Sequence, residues 1–252
     1  MESSFDLHGR RALVTGANTG IGQAIAIGLA GAGADVCAAG RTQPNDTRRA
    51  VEKLGRSFIA IEADFGAGAE FARVVAEAEA SLGPLDILVN NAGTIHRADA
   101  LELTEADWDA VHDVNLKAVF FLSQAFARRC VAAARPGKIV NIASMLSFQG
   151  GIRVAPYASS KSGLAGLTRA LANEWAPLRI NVNGIAPGYV STNNTTALRN
   201  DETRSREILA RIPAGRWGKP AEIAGAAVFL ASAAADYVHG AILPVDGGWL
   251  AR

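Results

Sequence analysis

Short apolar runs rich in β-branched residues recur along the chain with helical patterns between them, and this alternation fixes the fold class. The runs fall at residues 11–16, 34–39, 57–63, 86–92, 138–144, 179–186 and 241–247. Most are apolar on both alternating faces, as strands are when both sides of their sheet are covered. Helical patterns occupy 21–32, 67–82, a long stretch from Thr104 towards Arg129, 155–176 and 220–231. Strands joined by helices predict right-handed crossovers and a doubly wound parallel α/β sheet of about seven strands with helices on both faces. No Pro/Gly/Ser-rich linker and no internal repeat interrupts the pattern, so residues 1–252 are expected to form one domain.

One segment departs from the alternation. Residues 189–217 are polar around Asn193, Asn194, Thr195 and Thr196 and then become a charged helical stretch. Arg199, Arg204, Arg206, Arg211 and Arg216 are interleaved with Asp201, Glu202 and Glu207, which reads as a solvated helix. A late insertion of this kind is expected to cover a site as a lid.

The first strand runs into Thr15-Gly16-Ala17-Asn18-Thr19-Gly20-Ile21-Gly22. Glycines at 16, 20 and 22 let the backbone approach a pyrophosphate, and the N–H groups at the start of the following helix favour an anion. The spacing differs from the commoner G-x-G-x-x-G fingerprint, and a tight turn that binds nothing is the plain alternative. The second strand ends Ala38-Ala39-Gly40-Arg41, with no acid to hold an unmodified ribose. Arg41 therefore favours NADP, through a charge-assisted contact with the 2′-phosphate; the alternative is a solvated surface arginine.

Tyr157 and Lys161 lie four residues apart in a helical run, so phenol and ammonium share a face. A free tyrosine titrates near 10, and a cation about 4 Å away is worth roughly 4 kcal/mol at an effective dielectric of about 20. That is expected to lower the phenol by about three pH units and make it a general acid/base. Ser144 directly follows the fifth strand, at the edge where open α/β sheets bind ligands, and can hydrogen-bond a carbonyl oxygen as charge develops on it. Asn115 sits within a helical run that disfavours asparagine, which suggests a polar task; a satisfied core asparagine is the alternative.

Charge and composition exclude other classes. Lys+Arg number 25 and Asp+Glu 24, a net charge of +1, without the basic field that nucleic acid requires. Cys37 and Cys130 cannot build a disulfide framework and read as buried free thiols. With His8, His96, His112 and His239 dispersed, no metal is expected. No apolar run reaches the ~18 residues of a membrane span. The acidic, polar first residues do not read as a signal peptide, so a cytoplasmic protein is expected.

Together, Thr15-Gly16-x-x-x-Gly20-Ile21-Gly22, Asn90-Asn91-Ala92-Gly93, Asn115, Ser144, Tyr157-x-x-x-Lys161 and Pro187-Gly188 resemble the short-chain dehydrogenase/reductase family over essentially the whole chain. The resemblance implies a seven-stranded Rossmann-like fold, a homotetramer and ordered hydride transfer. It makes Tyr157 the proton donor/acceptor, Lys161 its pKa-lowering partner and a ligand of the nicotinamide ribose, Ser144 the group that orients the substrate carbonyl, and Asn115 the support of a water-linked proton relay. It places Asp64-Phe65 at the adenine and Asn91, Ala92 and Gly93 beside the adenosine ribose. Pro187 through Thr192, with Gly188 and Val190, would lie over the nicotinamide and pyrophosphate.

The stretches 142–154, 211–218 and 245–252, with Asn193-Asn194-Thr195, are similar to the subgroup of 2-dehydro-3-deoxy-D-gluconate 5-dehydrogenases, also known as 2-deoxy-D-gluconate 3-dehydrogenases. This resemblance implies a keto/hydroxy sugar acid of uronate breakdown as substrate and NAD as cofactor, against the NADP suggested by Arg41. A sugar acid needs a cationic partner, for which Arg153 is the first candidate and His96-Arg97 the second. The alternatives are a 3-oxoacyl thioester or other carbonyl substrate, or a non-enzymatic dinucleotide sensor on the same fold.

Overall fold

The computed structural model describes residues 4–68 and 71–252. Strands β1 (Arg11–Thr15), β2 (Asp35–Gly40), β3 (Phe58–Glu62), β4 (Ile87–Asn90), β5 (Gly137–Ile142), β6 (Ile180–Pro187) and β7 (Ile242–Val245) form one sheet in the order β3-β2-β1-β4-β5-β6-β7. Every pairing is parallel. This is the doubly wound arrangement expected from the alternation, and all seven strands fall where the apolar runs predict. The chain winds outward from β1 to β3, then returns to place β4 on the other side of β1. That reversal leaves a crevice at the carboxyl ends of β1 and β4, where such sheets take their ligands.

The helices are α1 (Gly20–Gly31), α2 (Asn45–Lys53), α3 (Phe71–Leu82), α4 (Glu105–His112), α5 (Ala118–Ala132), α6 (Ala155–Trp175), α7 (Thr196–Asn200), α8 (Glu202–Arg211) and α9 (Pro220–Ala231). Two apolar cores result. On one face Ile25 and Leu29 of α1 and Ile223 and Leu230 of α9 pack against Val14, Val89 and Val140. On the other, Val74 and Val75 of α3, Leu122 and Phe126 of α5 and Leu171 of α6 cover Leu13, Leu88 and Ile139. Helices α1 and α9 approach closely because the contact is made by small residues: a Cβ on Gly28 would stand 2.8 Å from Cβ of Ala224. Cys37 and Cys130 are buried free thiols, and burial pushes them up to about 12 and about 11.

The long helix expected from Thr104 is interrupted. It starts as predicted, Thr104 Oγ1 accepting from Asp107 N (3.2 Å) while Asp107 Oδ2 accepts from Thr104 N (3.1 Å). Residues Asp113–Lys117 then widen into a π turn before α5 resumes. The wider turn shifts the helical register, and Asn115 within it is fully buried. Helix α2 was not expected. Only Thr47 and Val51 of its nine residues are buried, too few to print an apolar period on the sequence.

Candidate active site

The crevice opens into a cleft of about 1170 Å³ lined at one end by the glycine turn and Arg41, and at the other by Ser144, Tyr157 and Lys161. Its floor is tied together by Thr15 at the end of β1. Thr15 Oγ1 accepts from the N–H groups of Asn91 and Ala92, both at 2.9 Å, and Asn91 Nδ2 donates back to the carbonyls of Thr15 (2.9 Å) and Gly16 (3.1 Å). The turn takes positive φ at Gly16 (+65°) and Gly20 (+60°), which a side chain would strain. A Cβ on Gly16 would stand 3.0 Å from Cα of Ala92, and one on Gly22 would overlap the Asn91 amide and the Gly16 carbonyl. Helix α1 starts directly behind this turn, and the side chain of its flanking residue Thr19 does not cap its N–H groups. A bare backbone cradle at a helix N-terminus, opening into a cleft long enough for an extended ligand, fits a dinucleotide pyrophosphate.

Asn18, Thr19, Ile21, Asp64, Phe65, Gly93, Pro187, Gly188, Val190 and Thr192 line the same cleft with the glycines and Arg41. The structure thus gathers every residue that the sequence singled out for a cofactor, although they come from five loops and from helix α6. Thr192 lies nearest the turn, its Cγ2 3.4 Å from where a Cβ on Gly20 would be. Asp64 Oδ1 accepts from Gly66 N at 2.9 Å, which shapes the loop after β3.

At the other end, three residues from two elements are fastened together. Lys161, buried on α6, donates from Nζ to the carbonyl of Ile142 on β5 at 2.7 Å. Ser147 Oγ accepts from Ser144 N (3.3 Å) and donates to the carbonyl of Lys161 (2.7 Å). The loop carrying Ser144 is therefore pinned to the helix carrying Tyr157 and Lys161 at two points. Ser144 Oγ accepts from Leu146 N at 3.1 Å and faces the Tyr157 phenol closely enough to lower it. Asn115 does not line the cleft; it holds the adjoining loop by accepting from Thr94 N and donating to Thr94 O, each at 2.9 Å, and donates to Ser160 Oγ at 3.2 Å.

Two expectations are corrected here. Burial raises the Tyr157 phenol above its usual value, opposed by the Ser144 side chain and the positive charge of Arg97. Lys161 does not supply the expected depression. Its ammonium stands 5.7 Å from the centre of the tyrosine ring, is committed to Ile142, and is itself pushed down to about 8 by burial. Arg153, the first candidate for a carboxylate partner, does not line the cleft. Its backbone turns through φ +62° and its guanidinium pairs with exposed Asp99 at 3.2 Å. Arg97, from the second-choice pair, does line the cleft.

The segment 189–217 contributes helices α7 and α8 to the cleft wall, with Ile208 and Ile212 buried against Met145 and Trp249. The sequence reading missed Gln149, which lines the cleft and accepts at Oε1 from both Arg211 (3.1 Å) and Trp249 Nε1 (3.3 Å). Its partners lie 62 and 100 residues away, so no local pattern could reveal it. Among the described residues no helix is long and apolar enough to cross a membrane, and no group of three or more His, Cys, Asp or Glu could hold a metal ion.

A doubly wound sheet with a bare glycine turn at its switch point, and a Ser/Tyr/Lys group across the same cleft, defines a nicotinamide-dependent oxidoreductase. A family model described as enoyl-(acyl carrier protein) reductase matches residues 16–250. A 2-dehydro-3-deoxy-D-gluconate 5-dehydrogenase of Escherichia coli (strain K12) is 56% identical over 250 residues, covering 99% of both chains. A solved Agrobacterium tumefaciens structure with bound NADP, provisionally named a 2-deoxy-D-gluconate 3-dehydrogenase, is 60% identical with a TM-score of 0.95 and covers 100% of both chains. A gluconate 5-dehydrogenase from Burkholderia cenocepacia, in complex with NADP and tartrate, is 41% identical with a TM-score of 0.93, covering 99% of this chain and 98% of that one. The chain belongs to the short-chain dehydrogenase/reductase family and is an NAD(P)-dependent alcohol dehydrogenase/ketone reductase.

Proposed function

We propose that the protein interconverts a keto group and a secondary alcohol on a sugar acid of the 2-dehydro-3-deoxy-D-gluconate or 2-deoxy-D-gluconate type. The observation that carries this reading is the pinned group of Ser144, Tyr157 and Lys161 at the end of a cleft whose other end is a bare glycine turn. The names of the Escherichia coli and Agrobacterium relatives support the substrate class. A bound nicotinamide would supply or accept the hydride. Tyr157 gives a proton to the carbonyl oxygen in reduction and takes one from the alcohol in oxidation, Ser144 holds that oxygen, and Lys161 orients the ribose. Asn115 keeps the Thr94 loop in place beside a water-linked route for protons.

Gly16, Gly20 and Gly22 would hold the pyrophosphate and Asn91 the adenosine ribose. Arg41 and the NADP found in both solved relatives favour NADP over NAD. Residues 189–217 act as a substrate lid on a single-domain chain, and the working form is a cytoplasmic homotetramer. A thioester carbonyl is the second reading, supported by the description of the matching family model.

A panel of keto sugar acids, polyols and 3-oxoacyl thioesters, each offered with both nicotinamide cofactors, tests the assignment by nicotinamide absorbance. Highest kcat/KM on a keto-deoxy sugar acid is expected; highest kcat/KM on a thioester would replace the reading by the second.

A further inference from the structure

We propose that Arg211, at the end of the lid helix, is the specificity-determining residue that recognises the substrate's carboxylate. The proposal rests on the sugar-acid reading above and names the side chain responsible for it. Five cationic side chains line the cleft among the described residues: Arg41, Arg97, Lys161, Arg204 and Arg211. Two of them are committed to other partners, and two lack the support that would orient them. Arg41 stands at the glycine-turn end, and Lys161 is bound to the Ile142 carbonyl. Arg204 pairs with Glu207 at 3.1 Å. Arg97, exposed on the loop after β4, has no aromatic ring under it and no hydrogen-bond acceptor holding its guanidinium among the described residues. In a 2-dehydro-3-deoxy-D-gluconate 5-dehydrogenase the reacting carbon is carbon 5 and the carboxylate is carbon 1, so the acid must be read away from Tyr157.

Arg211 is positioned for that reading. Its guanidinium lies over the Trp249 indole, 3.9 Å from Cζ to the ring centre, and Nη2 donates to Gln149 Oε1 at 3.1 Å. Trp249 Nε1 donates to the same oxygen at 3.3 Å, which fixes the acceptor in turn. A guanidinium has five N–H donors, and among the described residues Arg211 gives one hydrogen bond, to a neutral amide, and has no acidic partner. An arginine that merely capped α8 would bond that helix's own last carbonyls; this one reaches across to another element. The supports belong to the catalytic loop: Met145, next to Ser144, is buried against Ile208 and Trp249, and Gln149 follows in the same loop. Stacking and a single anchoring bond leave a planar, oriented, charged fork, the geometry that binds carboxylate in a bidentate way.

The test compares wild type with Arg211→Gln, Arg211→Lys and Gln149→Glu. The last keeps the side-chain shape but engages the guanidinium with an internal carboxylate. Two quantities are read: KM and kcat for the sugar-acid substrate, and calorimetric Kd for D-gluconate and for neutral D-glucitol on the NADP-loaded protein. For Arg211→Gln, KM is expected to rise roughly ten- to hundredfold, far more than kcat falls, with a parallel loss of D-gluconate affinity that D-glucitol does not share. Arg211→Lys should recover part of the loss and Gln149→Glu should reproduce it.

Unchanged D-gluconate affinity in Arg211→Gln, or equal losses for gluconate and glucitol, would overturn the proposal. If Arg211→Gln does not fold, Gln149→Glu decides alone, and wild-type KM in that variant would overturn it. Wild-type protein that binds D-gluconate through Arg211 yet turns over no sugar acid defeats the assigned activity and leaves Arg211 an anion-binding residue. Turnover of sugar acids insensitive to both variants defeats Arg211 and leaves the activity standing.

Discussion

Asn115 grips the peptide of Thr94 from both sides: its Oδ1 accepts from Thr94 N and its Nδ2 donates to Thr94 O, both at 2.9 Å. The pair joins the π turn to the loop leaving β4, and a third bond, to Ser160 Oγ, extends it to α6. One buried amide thereby fixes the spacing between the helix bearing Tyr157 and the loop bearing Asn91 and Gly93.

Asn115→Ala removes all three bonds. A loss of about 1–3 kcal/mol is expected in denaturant unfolding, as for other buried hydrogen-bonding groups left without partners, together with a fall in kcat. A change below about 0.5 kcal/mol with normal turnover would show that the amide holds nothing.

Glycines separate by environment. A Cβ at Gly22 would overlap the Asn91 amide, whereas one at Gly31, at the end of α1, would meet nothing within 4 Å. Gly22→Ala should abolish measurable NADP binding in calorimetry and lower the melting temperature. Gly31→Ala should stabilise by about 0.4–1 kcal/mol through its effect on chain entropy. Equal behaviour of the two would contradict the close approach of the glycine turn to Asn91.

The sheet was legible because parallel strands covered on both sides carry continuous apolar runs, as most of the seven do. The cofactor cleft was legible because its residues sit at the ends of those strands, where the topology gathers them. The rest depends on direction and distance. Arg153 lies close to Tyr157 in sequence, but its positive φ turns the side chain out to Asp99. The π turn that buries Asn115 has no distinct composition, and the meeting of Gln149, Arg211 and Trp249 joins a loop, helix α8 and the last turn of the chain. The tyrosine–lysine spacing was read correctly as a shared helix face, but burial, not the lysine, sets the direction of the phenol's shift.

Arg41 is exposed at the glycine-turn end of the cleft, with no acid beside it at the end of β2. Arg41→Asp should shift the ratio of kcat/KM from NADP towards NAD by about tenfold or more, the cost of exchanging a charge-assisted contact for repulsion. An unchanged ratio would remove Arg41 from cofactor recognition.

The pH dependence follows from the half-buried Tyr157 and the buried Lys161. The Tyr157 phenol is raised above its usual value near 10, so the phenolate needed for oxidation accumulates only as pH climbs; kcat/KM for oxidation should rise from pH 7 to 10 without levelling. Lys161, lowered to about 8, is charged below that pH and neutral above it. Because the phenol keeps its proton over this range, kcat/KM for reduction should hold steady to about pH 8 and then decline as the ammonium discharges. A plateau in oxidation near pH 7, or reduction indifferent to pH up to 10, would contradict these assignments.

The central claim is that the Tyr157 hydroxyl carries the proton, and Tyr157→Phe removes that oxygen while keeping the ring. Steady-state turnover of the best sugar acid, alongside calorimetric NADP affinity, is the direct measurement. The account predicts a loss of about a hundredfold or more in kcat, in the range of general acid–base contributions, with NADP affinity nearly intact. Turnover within about tenfold of wild type would contradict it.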